Sequence, residues 1–106
     1  MADEKYNGWT NYATWNMKLW MDNEESSYRF WVAEARQVWQ DAEATEGFTR
    51  EQNATYTLMK QMEQYYADEN PLVTGVYADL LGWALQKVDW YSIAEAWLED
   101  VQQDDS

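Results

Sequence analysis

Apolar residues recur at helical spacing through most of this chain, and no stretch alternates between apolar and polar residues for long enough to predict a strand. The clearest case is residues 28–42, where one face carries apolar side chains and the other carries charged and amide side chains. The apolar members are Tyr28, Trp31, Val32, Ala35, Val38, Trp39 and Ala42. Because this spacing places them along one side of a helix, the sequence predicts an all-α fold.

Capping and helix-breaking residues divide the pattern into about five helices, which predicts a compact single-domain bundle. The first helix is expected from Thr10 or Asn11 to Asp22, and the second is expected to be capped by Ser26 or Ser27. The capping box of Thr49 and Gln52 opens the third helix. The fourth helix follows Pro71 and Thr74, and Asp89 caps the fifth. Since 106 residues can bury one core, we predict one domain over 1–106 with frayed ends at 1–5 and 102–106.

The first helix is expected to turn a stripe of large side chains, Tyr12, Trp15 and Leu19, toward the core, with Trp20 beside them. An alternative interpretation is a polar recognition pocket framed by Trp9, Trp15 and Trp20. Rings at helical spacing are core residues more often than binding platforms, so the core interpretation is favoured.

Two glycines lead to predictions about the backbone. Gly47 suits a left-handed conformation at the end of the second helix, and Phe48 is then expected to fold back on the core. Gly82 weakens the fourth helix by ~1 kcal/mol relative to alanine. A close neighbour that excludes a larger side chain is the expected reason for it.

The composition removes most catalytic chemistry. The chain contains no Cys and no His, which excludes disulfides, thiolate nucleophiles and the common zinc sites. Asp22, Glu24 and Glu25 could gather a hard cation, but they lack the alternating acids and the glycine of a calcium loop. A carboxylate pair beside tryptophans could serve carbohydrate hydrolysis, yet no spacing singles out a pair. We therefore predict that the protein is not an enzyme and uses no metal or cofactor.

Charge is the most informative functional signal in the sequence. Twenty Asp and Glu against seven Lys and Arg give a net charge of −13, which barely changes over physiological pH because there is no His. Such a surface repels nucleic acid and anionic membranes and attracts basic or nucleic-acid-binding proteins. No segment is apolar for the ~18 residues of a membrane span, and residues 1–5 lack the features of a secretion signal, so we expect a cytoplasmic protein.

Two stretches carry a resemblance to a known group of proteins. The first is residues 7–16 with 19–24, which contains the run NGWTNYATW, and the second is residues 88–100, which contains a Trp-x-x-Ile-Ala segment. Together they resemble a group of small, uncharacterised acidic proteins encoded by phages and other mobile elements. The resemblance implies a viral or plasmid origin, a small helical fold and a location in the host cytoplasm, and it brings no established activity.

Carboxylates on rigid helices can mimic the charge of nucleic acid and occupy the cationic groove that another protein uses for phosphates. Glu95 and Glu99, for example, are one turn apart, ~6 Å along the axis of the fifth helix. The predicted partner-binding residues are Glu34, Asp41, Glu95, Glu99, Asp100, Asp104 and Asp105. With the viral resemblance, this surface predicts an inhibitor of a host nucleic-acid-binding or defence protein, of the restriction or CRISPR type. The simpler alternative is that the negative charge serves solubility alone.

The second functional hypothesis is an aromatic-rich module that assembles with itself and does not mimic nucleic acid. Eight Trp and eight Tyr are more rings than a core of this size readily hides. The candidates for a partly exposed patch are Tyr65, Tyr66, Trp83 and Trp90. This hypothesis predicts a homodimer whose affinity depends little on salt.

Overall fold

The computed structural model describes residues 6–70 and 75–104, with side chains as far as residue 102. The described residues form five helices: α1 (Tyr12–Asn23), α2 (Glu25–Asp41), α3 (Arg50–Asp68), α4 (Val76–Lys87) and α5 (Trp90–Asp104). They contain no strand, and two isolated bridges, Tyr6 with Trp9 and Thr45 with Phe48, close tight turns. The prediction of a single-domain, all-α bundle is confirmed.

The core is centred on α5, which packs against α2 and α3. Its inward residues Ile93, Trp97, Leu98 and Val101 are almost fully buried. The residues that oppose them are Trp31, Ala35 and Val38 of α2 and Ala54, Leu58 and Met62 of α3. Helix α1 lies against α2 and α5, whereas α4 packs, among the elements described, against α1 alone. Helix α4 is therefore held outside the main core by α1.

Three of the predicted helix starts are correct. Asn11 caps α1 by accepting a 2.9 Å hydrogen bond from the backbone N–H of Thr14. Thr49 and Gln52 form the reciprocal capping box at the start of α3. Asp89 precedes α5 and accepts a hydrogen bond from the backbone N–H of Ser92. These starts depend on side chains within three residues of each other, so local sequence is sufficient to predict them.

Other predicted boundaries differ from the structure. Helix α2 begins at Glu25, and Glu24 alone, in an extended conformation, separates it from α1. Ser26 therefore lies inside the first turn, where its hydroxyl donates to the Glu24 carboxylate, and does not cap the helix. Gly75 precedes α4, and the predicted cap Thr74 lies outside the described residues.

The predicted frayed ends fall only partly within the described residues. Helix α5 continues to Asp104, into the segment 102–106 for which fraying was expected. Residues 1–5 and 105–106 lie outside the described residues. The terminal turn of α5 is therefore longer than the acidic composition of that segment suggests.

The predicted inward face of α1 is wrong. Tyr12, Leu19 and Trp20 are exposed, and the buried face carries Thr14, Lys18 and Met21. The predicted helical period is correct, but large side chains at that spacing do not mark the buried face of this helix. The reason for the rotation is that the polar side chains on the inner face of α1 have internal partners.

Lys18 shows how a charged residue is accommodated on that face. Its Nζ atom lies 4.3 Å from the centroid of the Trp97 ring and 2.7 Å from Oδ1 of Asp22. The aliphatic stem of a lysine can cover apolar surface while the ammonium group keeps a partner at its tip. These partners offset part of the cost of burying Lys18, and Tyr12 and Trp20 lie on the outer side of the helix.

The region after α2 also departs from the prediction. Helix α2 ends at Asp41, before Gly47, so Gly47 does not terminate it. Gly47 has the expected left-handed backbone, with φ of +91°, but as part of the tight turn from Thr45 to Phe48. Phe48 is exposed, so the prediction that it folds back on the core is wrong.

Gly82 has no close neighbour, which contradicts the reason proposed for it. A Cβ atom built on Gly82 would meet nothing within 4 Å. Replacing Gly82 with alanine is therefore expected to raise the free energy of unfolding by about 0.5–1 kcal/mol, since alanine loses less conformational entropy in a helix. Urea unfolding followed by far-ultraviolet circular dichroism measures the change.

The matched control is the same substitution at Gly47, where φ of +91° strains any side chain. Gly47→Ala is expected to lower the free energy of unfolding by about 1 kcal/mol. A loss of stability in Gly82→Ala comparable to that in Gly47→Ala would show that Gly82 has a structural role in α4.

Candidate functional site

The predicted acidic residues on α5 are exposed. Glu95 and Glu99 project from the side of the helix opposite Ile93 and Trp97, whose side chains are fully buried. Asp100 is also exposed, but on another flank, because five residues from Glu95 correspond to about 140° of rotation around the axis. Helix α5 therefore presents carboxylates on two of its sides, fixed by a helix whose remaining side is the centre of the core.

The remaining acidic residues of the predicted set differ in how far they are exposed and in whether their side chains are described. Asp41 is exposed at the last residue of α2 and accepts a 2.9 Å hydrogen bond from Nε2 of Gln37. Glu34 is half-buried. The backbone of Asp104 belongs to α5 but its side chain lies outside the described residues, as does the whole of Asp105. The acidic surface is thus divided between α2 and α5.

Several basic residues lie over aromatic rings. Four of the chain's seven Lys and Arg side chains lie over rings in the described part of the protein. The distances from the cation to the ring centroid are 4.3 Å for Lys18 over Trp97, 3.8 Å for Arg50 over Trp39, 5.6 Å for Lys60 over Tyr56 and 5.2 Å for Lys87 over Trp83. The aromatic residues therefore help to position these cations, and Lys18 also keeps its ion pair with Asp22.

Some ion pairs among the described residues lie along single helices. They include Lys18 with Asp22 and Arg29 with Glu25, each one helical turn apart. Neither of these pairs includes a residue of the predicted acidic surface. Glu95, Glu99 and Asp100 of that surface are exposed, so their negative charge is directed toward solvent.

A hydrogen-bond network connects the two stretches that carry the family resemblance. The hydroxyl of Thr14 donates to Oδ1 of Asn11 at 2.7 Å and accepts from the backbone N–H of Asp89 at 2.8 Å. Oδ2 of Asp89 accepts from the hydroxyls of Thr10 at 2.6 Å and Ser92 at 2.7 Å. One continuous network therefore caps both α1 and α5.

The hydrogen bonds of this network favour the ionised form of the Asp89 carboxyl. Its partial burial raises the pKa, but the hydrogen bonds donated by Thr10, Ser92 and the backbone outweigh that effect, so the pKa lies below its ordinary value. Asn11 adds a further tie, since its amide donates a 2.8 Å hydrogen bond to the carbonyl of Lys87. These polar residues therefore fix the junction of α1, α4 and α5.

The predicted aromatic patch does not form as one surface. Tyr65, Tyr66 and Trp90 lie together beside Trp31, with ring centroids 5.0 Å apart for Tyr65 and Tyr66 and 5.5 Å apart for Tyr66 and Trp90. Trp90 is only 8% exposed, so the expectation that it is partly exposed is wrong. Its flat stacking on Tyr66 covers it. Trp83 lies on α4, away from this cluster and 61% exposed.

A groove of about 970 Å³ runs between α1 and α4, and sequence reasoning did not predict it. Its walls are mainly Tyr12, Asn16, Met17 and Trp20 of α1 and Leu81, Trp83, Ala84, Leu85 and Lys87 of α4. No described residue that lines it carries a carboxylate. The sequence feature that could have indicated this groove is in α4, whose apolar residues lie on all sides of the helix.

Neither a metal-binding cluster nor a membrane-spanning helix occurs among the described residues. No group of three or more Asp and Glu side chains there is positioned to hold a metal ion, and Asp22, Glu24 and Glu25 form no such group. None of the helices among these residues is both long and apolar enough to span a bilayer.

Comparison with known proteins gives a family match that covers nearly all of the sequence. A family model described as a family of unknown function (DUF7249) matches residues 2–103. Neither the curated proteins nor the solved structures include a match.

Proposed function

Since the chain belongs to the DUF7249 family of unknown function, we propose that it acts by binding. Its carboxylates enter the cationic groove that another protein uses for nucleic acid, and the two ligands compete. The observation that carries this proposal is the location of the cations. Four of them lie on aromatic rings, while Glu95, Glu99 and Asp100 face solvent from a helix anchored in the core.

The rigidity of α5 supports the proposal. Ile93, Trp97 and Val101 are fully buried, so the backbone that carries Glu95 and Glu99 is fixed before binding. A preorganised array loses less conformational entropy on association than flexible acidic segments do. The binding energy is expected to come largely from release of counterions, as it does when a protein binds phosphates.

The resemblance to phage and mobile-element proteins extends the proposal to a class of partner. The partner is a host protein with a basic, nucleic-acid-binding surface, such as a restriction or CRISPR nuclease, and the complex forms in the host cytoplasm. Inhibition then follows from occupation of the groove, with no catalytic step and no cofactor.

The test is a triple charge reversal, Glu95→Lys, Glu99→Lys and Asp100→Lys. All three side chains are exposed, so the fold is expected to persist. Capture of host proteins on the wild-type chain at low and high salt, followed by elution with duplex DNA, identifies partners of the proposed kind. We expect the reversal to weaken their binding about tenfold or more and to reduce its salt dependence.

The control carries the same change in charge at other exposed positions, Glu43→Lys, Glu46→Lys and Asp68→Lys. It distinguishes a loss of binding caused by the acidic surface of α5 from one caused by the change in net charge. The proposal fails if the α5 variant binds as the wild type does, or if the partners are not displaced by DNA. Equal losses in both variants would assign the effect to net charge and remove α5 from the proposal.

A further inference from the structure

Helix α4 is apolar on the side that faces solvent as well as on the side that faces α1. Val76, Leu80 and Trp83 follow one another at intervals of four and three residues, and all three are more than half exposed. Tyr77, beside them, is 74% exposed. A helix that is apolar all round is normally buried on all sides. The outer face of α4 therefore has the composition of a covered surface.

Helix α1 continues this face across the groove. Tyr12 and Trp20, which the sequence assigned to the core, are more than half exposed and line the groove opposite Trp83. The two helices thus form a layer with one apolar side turned outward. Scattered apolar residues are normal on a surface, but a contiguous patch of large side chains marks an interface.

The charge of this layer indicates which partner it fits. Two chains with a net charge of −13 repel each other through their acidic helices. The groove has no carboxylate in its lining, and α4 carries one acid, Asp79, and one base, Lys87. This layer is nearly neutral, so a second copy meets less repulsion there than at the acidic helices.

The size of the layer is adequate for a dimer. From the exposed fractions of Tyr12, Trp20, Val76, Tyr77, Leu80 and Trp83, these six side chains offer an apolar area on the order of 700 Å². A standard protein interface buries about 800 Å² per partner. A symmetric contact uses the same patch twice, so no second patch is required.

We infer that two copies of the chain associate through their α1–α4 layers. The contact places α1 and α4 of one copy against α1 and α4 of the other, and it buries Leu80 and Trp83 at its centre. This goes beyond the proposed function, because it uses a different surface and a different partner. It also replaces the Tyr65, Tyr66 and Trp90 cluster, which is occupied within the fold, as the interface for self-association.

The test is sedimentation of the wild-type chain and of the double variant Leu80→Glu, Trp83→Glu. We expect the wild type to be a dimer at micromolar concentrations and the variant to be a monomer, with the dissociation constant raised at least about a hundredfold. The dimer should strengthen as salt is added, because salt screens repulsion between the two acidic copies. The complex with a basic partner should weaken under the same change.

The control is Phe48→Glu with Tyr56→Glu, which adds the same charge at two exposed rings outside the layer. It should remain a dimer, and circular dichroism should show the same helix content in all three proteins. A monomeric wild type overturns the inference and leaves the layer to a different protein. A dimer that persists in the Leu80, Trp83 variant, or is lost in the control, overturns it as well. None of these outcomes depends on the nucleic-acid-binding partner.

Discussion

Replacing Trp31 with alanine is expected to lower the free energy of unfolding by about 3–5 kcal/mol. Trp31 is 1% exposed at the centre of α2. Its ring contacts Tyr65 and Tyr66, and its indole N–H donates a 3.1 Å hydrogen bond to the Tyr66 hydroxyl. Truncation therefore creates a large cavity and removes a hydrogen bond at the same place. Natural domains are stable by only about 5–15 kcal/mol, so the variant should unfold at much lower urea concentration.

Tyr56→Ala is the control for this prediction. It truncates another aromatic side chain, on the neighbouring helix α3, but that ring is exposed, with Lys60 over its face. We expect a loss of no more than about 1 kcal/mol. Urea unfolding at one fixed protein concentration compares the two. Similar losses would mean that the aromatic residues contribute to stability independently of burial.

Replacing Thr14 with valine is expected to lower the free energy of unfolding by about 2 kcal/mol. Valine keeps the shape of threonine but removes the hydroxyl that accepts the backbone N–H of Asp89 and donates to Asn11. Thr14 is fully buried, so water cannot replace the lost partner. The same variant should accelerate hydrogen exchange at the Asp89 amide, which nuclear magnetic resonance measures directly.

Thr57→Val makes the same chemical change at an exposed position of α3. It should change the free energy of unfolding by less than about 0.5 kcal/mol and leave the Asp89 amide unaffected. If Thr14→Val proves equally mild, the network between the two motifs does not stabilise the junction of α1, α4 and α5.

The parts of the fold that could be predicted from sequence are those decided locally. The face of α2, the capping box at Thr49 and the cap at Asp89 depend on residues within one or two turns of each other. The face of α1 could not be predicted in this way, because Lys18 is buried through its contact with Trp97, which is distant in sequence. A pattern of apolar and polar residues does not reveal such a partner.

The same distinction applies to the candidate site: the exposure of its carboxylates could be predicted from sequence, but the burial of its aromatic rings could not. Charge alone indicated that Glu95 and Glu99 face solvent, because ionised carboxylates are rarely buried without a partner. Burial of the tryptophans could not be read from charge or spacing. The sequence predicts partial exposure for both Trp83 and Trp90, yet Trp90 stacks on Tyr66 and is buried while Trp83 is exposed. Only the packing of α4 outside the core distinguishes them.

The network at the junction of α1, α4 and α5 also affects when the contacts of α1 form during folding. Thr10 and Thr14 bond to Asp89, which lies 79 and 75 residues further along the chain. During synthesis the ribosome releases α1 long before Asp89, the residue that ties α1 to α5. Contacts so far apart in sequence form late, because closing a long loop costs entropy that is recovered only afterwards. The junction of α1 with α4 and α5 is therefore expected to form late, whereas the contact of α1 with α2 joins neighbours in sequence.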